Sequence, residues 1–170
     1  MIGKPARTRL IAFVAVMSAL SNVLAFFVIP AGAVTLHLIQ LPIVFAGLAV
    51  GAVAGGLVGF FGAFTMAFTL AKPNPYLTLG NAILGFLIGA FYARIKGWSR
   101  KPIVPQVISV VLTYVVQAPY VYLTDVYGMG MPQVIVVSIM GVLLIEDLIS
   151  ALISHLILYR IDVGAVLAQD

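Results

Sequence analysis

The most unusual residues in this sequence are two adjacent carboxylates, Glu146 and Asp147, in the middle of the apolar stretch 132–160. A carboxylate inside a membrane costs at least about 2.5–3.5 kcal/mol to insert unless it is paired, protonated or hydrated. Asp147 shares a helical stripe with Ser150 and Ser154, and Glu146 points about 100° away. The pair predicts a ligand-binding or ion-coupling site, and packing against a neighbouring helix is the alternative.

A second set of polar side chains lies towards one end of other apolar stretches. Asn81 and Gln117 fall at similar depth on segments that run in opposite directions, and Tyr120 follows Gln117 by three residues. Amides inside a helical bundle need hydrogen-bond partners, so together these groups predict a small polar pocket. The predicted substrate-binding residues are His37, Gln40, Asn81, Gln117, Tyr120, Glu146 and Asp147.

The motifs of soluble enzymes and metal proteins are missing from the sequence. There is no Cys, and His37 and His155 are too far apart to make a metal-ligand spacing. No GxSxG, Walker A, HExxH or Rossmann glycine pattern occurs. We therefore expect no enzymatic activity, no bound cofactor and no metal site, and no use of ATP by this chain alone.

The composition is that of a membrane protein. Of the 170 residues, 63% are hydrophobic and 8% are charged, whereas soluble domains are about 45–50% apolar and about 25% charged. Between Arg9 and Lys72 the chain has no charged residue, and a spanning helix needs only about 20 apolar residues. The sequence predicts an all-α membrane protein with a single integral membrane domain over 1–170.

Six transmembrane helices are predicted from the apolar runs, with five as the alternative. The uncertain boundary is the glycine-rich turn that follows Gly51, because it contains neither a charge nor a proline. One helix over 38–70 would be about 50 Å long, and the apolar core of a bilayer is about 30 Å thick, which favours a break. The predicted helices cover about 8–29, 38–52, 55–70, 76–95, 103–124 and 132–159.

The distribution of cations predicts the orientation. With six helices, Lys72 is alone on one side, and the loops 30–37, 72–75 and 125–131 share that side. Basic residues favour the cytoplasmic side, so both termini are expected to be cytoplasmic in a multi-pass protein of the cell membrane. The net charge of +4 then reflects topology, and no nucleic-acid partner is expected. The other side carries Lys4, Arg7, Arg9, Arg94, Lys96, Arg100, Lys101 and Arg160.

Small residues form stripes on several predicted helices. In the first helix they fall within an arc of about 140°, which predicts either internal packing or a groove for a helix of a partner. Gly47, Gly51, Gly55 and Gly59 recur every four residues, a spacing that lets helix backbones approach closely in lipid. We expect the glycine stripes to mark internal packing. The stripe on the first helix consists of Ala12, Ala15, Ser18, Ala19, Asn22 and Ala25.

Three segments resemble the substrate-binding S component of energy-coupling factor (ECF) vitamin transporters. The segment 41–51, LPIVFAGLAVG, with Gly55 and Gly59 after it, is similar to a segment across the second and third helices of that family. The segment 81–89, NAILGFLIG, resembles the fourth helix, and Ala15 and Ala19 fit an Ala-x-x-x-Ala motif in the first.

The resemblance implies a function as well as a fold. Members of the family bind a vitamin or related small molecule under the loop between the first two helices. They deliver it inward together with a transmembrane coupling protein, the T component, and two ATPase subunits. By the motif match, Ala15 and Ala19, with Ser18 between them, would contact the coupling protein.

The main alternative is a small ion-coupled secondary transporter that uses Glu146 and Asp147 as its proton or cation site. An intramembrane enzyme would need a catalytic set, and the sequence offers none. The predicted pocket has no Arg, which argues against a strongly anionic ligand. Its acidic pair favours a neutral or cationic heterocycle, such as a thiamine precursor or a pyridoxine-like compound.

Overall fold

The computed structural model describes residues 7–31, 34–69, 73–161 and 163 of the chain. It is a helical bundle with one small β-hairpin, and the prediction of a mostly helical fold is confirmed. A short π-helical segment, Thr124–Gly128, joins the last two helices. The elements are α1 (Arg7–Leu24), β1 (Val28–Ala31), β2 (Val34–His37), α2 (Gln40–Ala49), α3 (Ala52–Gly62), α4 (Phe64–Thr69), α5 (Tyr76–Ile95), α6 (Ile103–Leu123) and α7 (Gln133–Arg160).

The exterior of the bundle is apolar, unlike the surface of a soluble protein. Large apolar side chains such as Ile11, Val115 and Leu156 point outward, while Thr113 and Ser154 are fully buried. Within the described part of the chain, four helices are long and apolar enough to cross a membrane: α1, α5, α6 with the π-helical segment, and α7. The chain is therefore a multi-pass membrane protein. The total of six crossings stays a prediction, because the apolar helices between 40 and 68 are shorter.

The prediction of an all-α fold with a first helix to residue 29 is wrong at the end of that helix. Helix α1 ends at Leu24, and β1 pairs with β2 in an antiparallel hairpin. Pro30 explains the change, since proline lacks an N–H and disfavours the helical conformation of the residue before it. The aromatic and β-branched residues that precede Pro30 also favour a strand.

The predicted break between the second and third helices is confirmed at Gly51. Its φ of +119° is a conformation that side-chain-bearing residues rarely adopt. From this turn α3 runs directly against α5, and the two backbones nearly touch. A Cβ built on Gly55 would lie 2.3 Å from the carbonyl oxygen of Gly85. The prediction that the glycine stripe mediates internal packing is confirmed for Gly47, Gly55 and Gly59, whereas Gly51 forms the turn, where an added Cβ would meet no atom within 4 Å.

The predicted third helix, 55–70, is interrupted near Ala63, where α3 ends and α4 begins. Asn22 of α1 bridges this interruption. Its amide nitrogen donates to the carbonyl of Phe61 at 2.8 Å, and its amide oxygen accepts from the Thr65 N–H at 2.7 Å. A side chain of one helix thus stabilises backbone groups that a helix break would otherwise release into an apolar environment.

The two ends of the bundle differ in charge. The end of α5 and the loop that follows it carry Arg94, Lys96, Arg100 and Lys101. Helix α7 runs towards the same end of the bundle and ends at Arg160. The opposite end gathers the hairpin, the segment that precedes α5, and the π-helical segment. The candidate site lies at this second end.

Candidate functional site

A cavity of about 330 Å³ opens at the end of the bundle that lies opposite the cationic loop. Cavities that bind small molecules measure about 300–1,000 Å³. It follows α7 from Ile135 to Glu146, a path of about 16 Å along the helix axis. Its walls come from β2, α2, α4, α5, α6 and α7. The lining residues are Thr35, His37, Gln40, Met66, Asn74, Tyr76, Leu77, Gly80, Asn81, Gln117, Tyr120, Val121, Thr124, Asp125, Met131, Ile135, Ile139, Val142, Leu143 and Glu146.

Six of the seven predicted substrate-binding residues line this one cavity. They come from five separate elements: His37 from β2, Gln40 from α2, Asn81 from α5, and the remaining three from α6 and α7. Their shared location follows from the antiparallel arrangement of α5 and α6. Whether they bind a ligand stays a prediction. The three residues from α6 and α7 are Gln117, Tyr120 and Glu146.

Glu146 joins α7 to the hairpin. Its carboxylate accepts hydrogen bonds from the backbone N–H of His37 and from the side chain of Gln40. Only 5% of its surface is exposed. Because a buried carboxylate needs hydrogen-bond donors, these two bonds hold the β2–α2 junction at the inner part of the cavity.

The amide side chains of the cavity all direct a nitrogen to an oxygen of the protein. Gln40 donates to Glu146, Asn81 donates to the carbonyl of Leu77 at 2.9 Å, and Gln117 donates to the carbonyl of Gly80 at 3.0 Å. The oxygens of Gln40 and Asn81 are buried and have no hydrogen-bond partner among the described residues. The nitrogen donors of these three amides are therefore already used within the protein.

The outer part of the cavity contains a carboxylate that the sequence analysis did not select. Asp125 accepts a hydrogen bond from the Asn74 amide at 2.9 Å, and its backbone carbonyl accepts one from the Met131 N–H. The Tyr120 hydroxyl donates to the carbonyl of Tyr76 nearby. The available signal was the isolation of Asp125, the only charged residue in the 44-residue stretch 102–145.

Asp147 does not line the cavity, although the sequence analysis paired it with Glu146. Adjacent residues of a helix point about 100° apart, so only one of the two faces the opening. Asp147 is 1% exposed, and its Oδ1 has no partner among the described residues. It interacts electrostatically with Tyr114 of α6. The second carboxylate of the cavity is Asp125.

His37 contributes a neutral ring to the cavity wall. Its Nε2 lies 2.9 Å from the Thr35 hydroxyl. Burial lowers the pKa of His37, and a backbone hydrogen bond involving Ala25 opposes this shift only in part. The imidazole is therefore uncharged at neutral pH.

The small-residue face of α1 is divided between the interior and the exterior. Ala15 and Ala19 are exposed, as a surface for a partner requires. Ser18 is 7% exposed and lies against Gly62 of α3, where an added Cβ would be 3.7 Å from its Cα. The predicted contacts of Ala15, Ser18 and Ala19 with a coupling protein stay predictions, and Ser18 is the one already covered by its own chain.

The comparisons with known proteins agree with this architecture. A solved structure described as "Structure and mechanism of the S component of a bacterial ECF transporter" superimposes with a TM-score of 0.70 over 91% of this chain and 96% of that one. At 19% sequence identity this similarity shows the fold. No curated protein matches the chain. The sequence profile of the ECF-type riboflavin transporter S component matches residues 6–162, and the chain therefore belongs to that family of transporter subunits.

Proposed function

We propose that this chain is the substrate-specific binding subunit of an ECF-type importer, and that it captures a vitamin-sized molecule in the cavity described above. The observation that carries the proposal is a cavity of suitable size that brings polar side chains of separate elements together, among them Gln40, Asn81 and Gln117. Pockets for small molecules combine a mostly apolar lining with a few placed polar groups.

The charge asymmetry supports uptake from the outside. The cavity opens at the end opposite Arg94, Lys96, Arg100 and Lys101, and basic loops favour the cytoplasm. The cavity then faces outward across the cell membrane, and both termini are cytoplasmic. Delivery inward takes place with a T component and two ATPase subunits. The ATPase subunits hydrolyse ATP, for which this chain has no Walker A motif.

The direct experiment is native mass spectrometry of the purified protein, followed by calorimetric titration with vitamins. Riboflavin, which the family description names, is the first ligand to test. A stoichiometric vitamin-sized adduct is expected. A protein that is empty on purification and binds no compound of a broad vitamin panel would contradict the proposal.

Two glutamines of α6 provide a matched pair of variants. Gln117 and Gln106 are both buried, but Gln117 lines the cavity, while Gln106 contacts His155 near the other end of the bundle. Gln117→Ala is expected to weaken ligand binding by about 5-fold to 10-fold, because the variant loses one hydrogen bond, which is worth about 1 kcal/mol. Gln106→Ala is expected to leave the affinity unchanged. Equal effects of the two variants would count against this cavity as the site.

The contact with the coupling protein can be tested separately from substrate binding. Ala15→Trp with Ala19→Trp enlarges the exposed part of α1, and Val115→Trp enlarges an outward-facing position of α6. We expect the first variant to bind substrate but to lose co-purification with the T component. The second variant should retain both properties. Intact assembly of the Ala15 and Ala19 double variant would refute the assignment.

The ion-coupled secondary transporter is not favoured by the family match. It predicts that liposomes containing this chain alone accumulate substrate under an ion gradient. The proposed function predicts binding without accumulation in the same liposomes. Transport then requires the T component, the ATPase subunits and ATP.

A further inference from the structure

We propose that the molecule bound in the outer cavity carries a positive charge, which binds to one of two carboxylates, Glu146 and Asp125, while a hydrogen-bond donor of the same molecule binds to the other. The inference rests on the proposed function, because it concerns the ligand of the same cavity. It goes further by naming the chemical class of that ligand: a cationic heterocycle or amine with N–H or O–H groups.

The first argument is the charge of the cavity wall. Glu146 and Asp125 line the cavity and are 5% and 6% exposed. Among the residues that the structure describes, no Lys or Arg lines the cavity, and neither carboxylate forms an ion pair. Lys72, two residues before Asn74, lies outside those residues. Burial disfavours the charged form of a carboxyl group that has no counter-charge near it, and a bound cation would supply that counter-charge.

The second argument concerns the histidine of the cavity. Protonated His37 could in principle neutralise Glu146, whose carboxylate accepts a bond from its backbone. Burial lowers the pKa of His37, however, and its ring nitrogen Nε2 already contacts the Thr35 hydroxyl. The described part of the wall therefore has two acids and no cation at neutral pH.

The third argument concerns the hydrogen-bond polarity of the uncharged groups. The amide nitrogens of Asn81 and Gln117 donate to backbone carbonyls, and the hydroxyl of Tyr120 donates to another. These donors are therefore already used within the protein. A phosphate or carboxylate would meet no Lys or Arg among the described residues of the wall, and the donors named above are not free to bind it. A cation with polar hydrogens matches the two carboxylates.

The two carboxylates lie at different depths, which gives the ligand two separate anchor points. Glu146 is in the middle of α7 and bonds to the start of α2, whereas Asp125 is in the π-helical segment at the open end. A ligand that spans the cavity can place its cation against one carboxylate and a donor against the other. The size of the cavity, about 330 Å³, accommodates a molecule of this kind.

The experiment is a titration of the full chain with probes of different charge. The cationic probes are thiamine and pyridoxamine, the neutral probe is riboflavin, and the anionic probe is flavin mononucleotide. The identity of any co-purified small molecule is determined in parallel by native mass spectrometry. We expect a cationic molecule to bind at least about 10-fold more tightly than the neutral probe, and the anionic probe to bind least.

Three variants, each of which replaces an acid by its amide, test which carboxylates bind the cation. Glu146→Gln and Asp125→Asn are each expected to weaken cation binding by about 10-fold to 100-fold, as expected when a hydrogen bond to a charged group is lost. Asp147→Asn removes an equally buried acid that lies outside the cavity, and it is the matched control. We expect it to leave cation binding unchanged. Circular dichroism of each variant reports on folding.

The outcomes separate this inference from the function on which it rests. If riboflavin or flavin mononucleotide binds more tightly than every cation, or if the co-purified molecule is not a cation, the charge assignment is overturned and the binding function stands. Unchanged cation affinity in both Glu146→Gln and Asp125→Asn also overturns it. If no compound binds or co-purifies, the proposed function fails as well.

Discussion

The sharpest test of the architecture is Gly59→Ala, because this glycine of α3 lies against the backbone of a residue of the cavity. A Cβ at position 59 would be 2.0 Å from the carbonyl oxygen of Asn81 and 2.5 Å from its carbonyl carbon. Ordinary contact begins at 3.4 Å, so α3 or α5 must move by about 1 Å. Overpacking of this kind costs about 1–3 kcal/mol.

The same displacement should reach the ligand. Asn81 lines the cavity, and hydrogen bonds weaken when donor and acceptor move beyond about 3.2 Å. A shift of about 1 Å removes one such bond, which is worth about 1 kcal/mol, or about a 5-fold loss of affinity. Gly59→Ala is thus expected to lower both stability and ligand affinity.

The assay combines thermal unfolding in detergent with a ligand titration. Gly97→Ala is the matched control, since a Cβ at Gly97 meets no atom within 4 Å. For a chain of this length a loss of 1 kcal/mol lowers Tm by about 2–4 °C. If Gly59→Ala retains the Tm and the affinity of the control, the close approach of α3 and α5 does not position the site, and the reasoning is refuted.

Three further changes test other features of the fold. Gly51→Ala should destabilise the protein by about 1–3 kcal/mol through backbone strain alone, because the φ of Gly51 is +119° and nothing lies within 4 Å of the added carbon; unchanged thermal unfolding would exclude that strain. Asn22→Leu removes hydrogen bonds to the carbonyl of Phe61 and from the Thr65 N–H, and a loss of about 1–3 kcal/mol is expected, measured by the same unfolding. The lowered pKa of His37 means that the unfolded chain takes up a proton first as the pH falls. The stability that neutral His37 provides is therefore present above pH about 6.5 and is lost on acidification. His37→Gln should flatten this part of the stability profile between pH 7.5 and 5.5, and an unchanged profile would contradict the assignment.

The regular helices were predictable because their signals are local. Helix α5 begins and ends where the sequence predicts, after Pro75 and before the basic loop. The hairpin was not predictable in this way, because the apolar run to Ile29 is long enough for a helix and only Pro30 argues against a helix there. Pairing of β1 with β2 is decided by contacts between segments, which periodicity does not report.

The site was predictable in its residue types more than in its grouping. Polar side chains inside apolar helices are costly, so Asn81, Gln117 and Glu146 stood out from composition alone. Asp147 lies outside the cavity and Asp125 lines it, because the direction of a side chain depends on the rotation of α7 and on the π-helical segment, which the sequence pattern does not report. Whether any of these acids binds a ligand stays a prediction.

The contact between α3 and α5 also has a consequence for motion. Gly55 and Gly85 meet backbone to backbone, and Gly89 would meet Ala52 in the same way if it had a side chain. At these glycines no side chain separates the two backbones, so sliding of one helix along the other by one residue would drive methyl groups into carbonyls. The block of α2, α3 and α5 should therefore move as one rigid body. Its amides are expected to be the last to exchange with deuterium, with the hairpin and the end of α1 exchanging first.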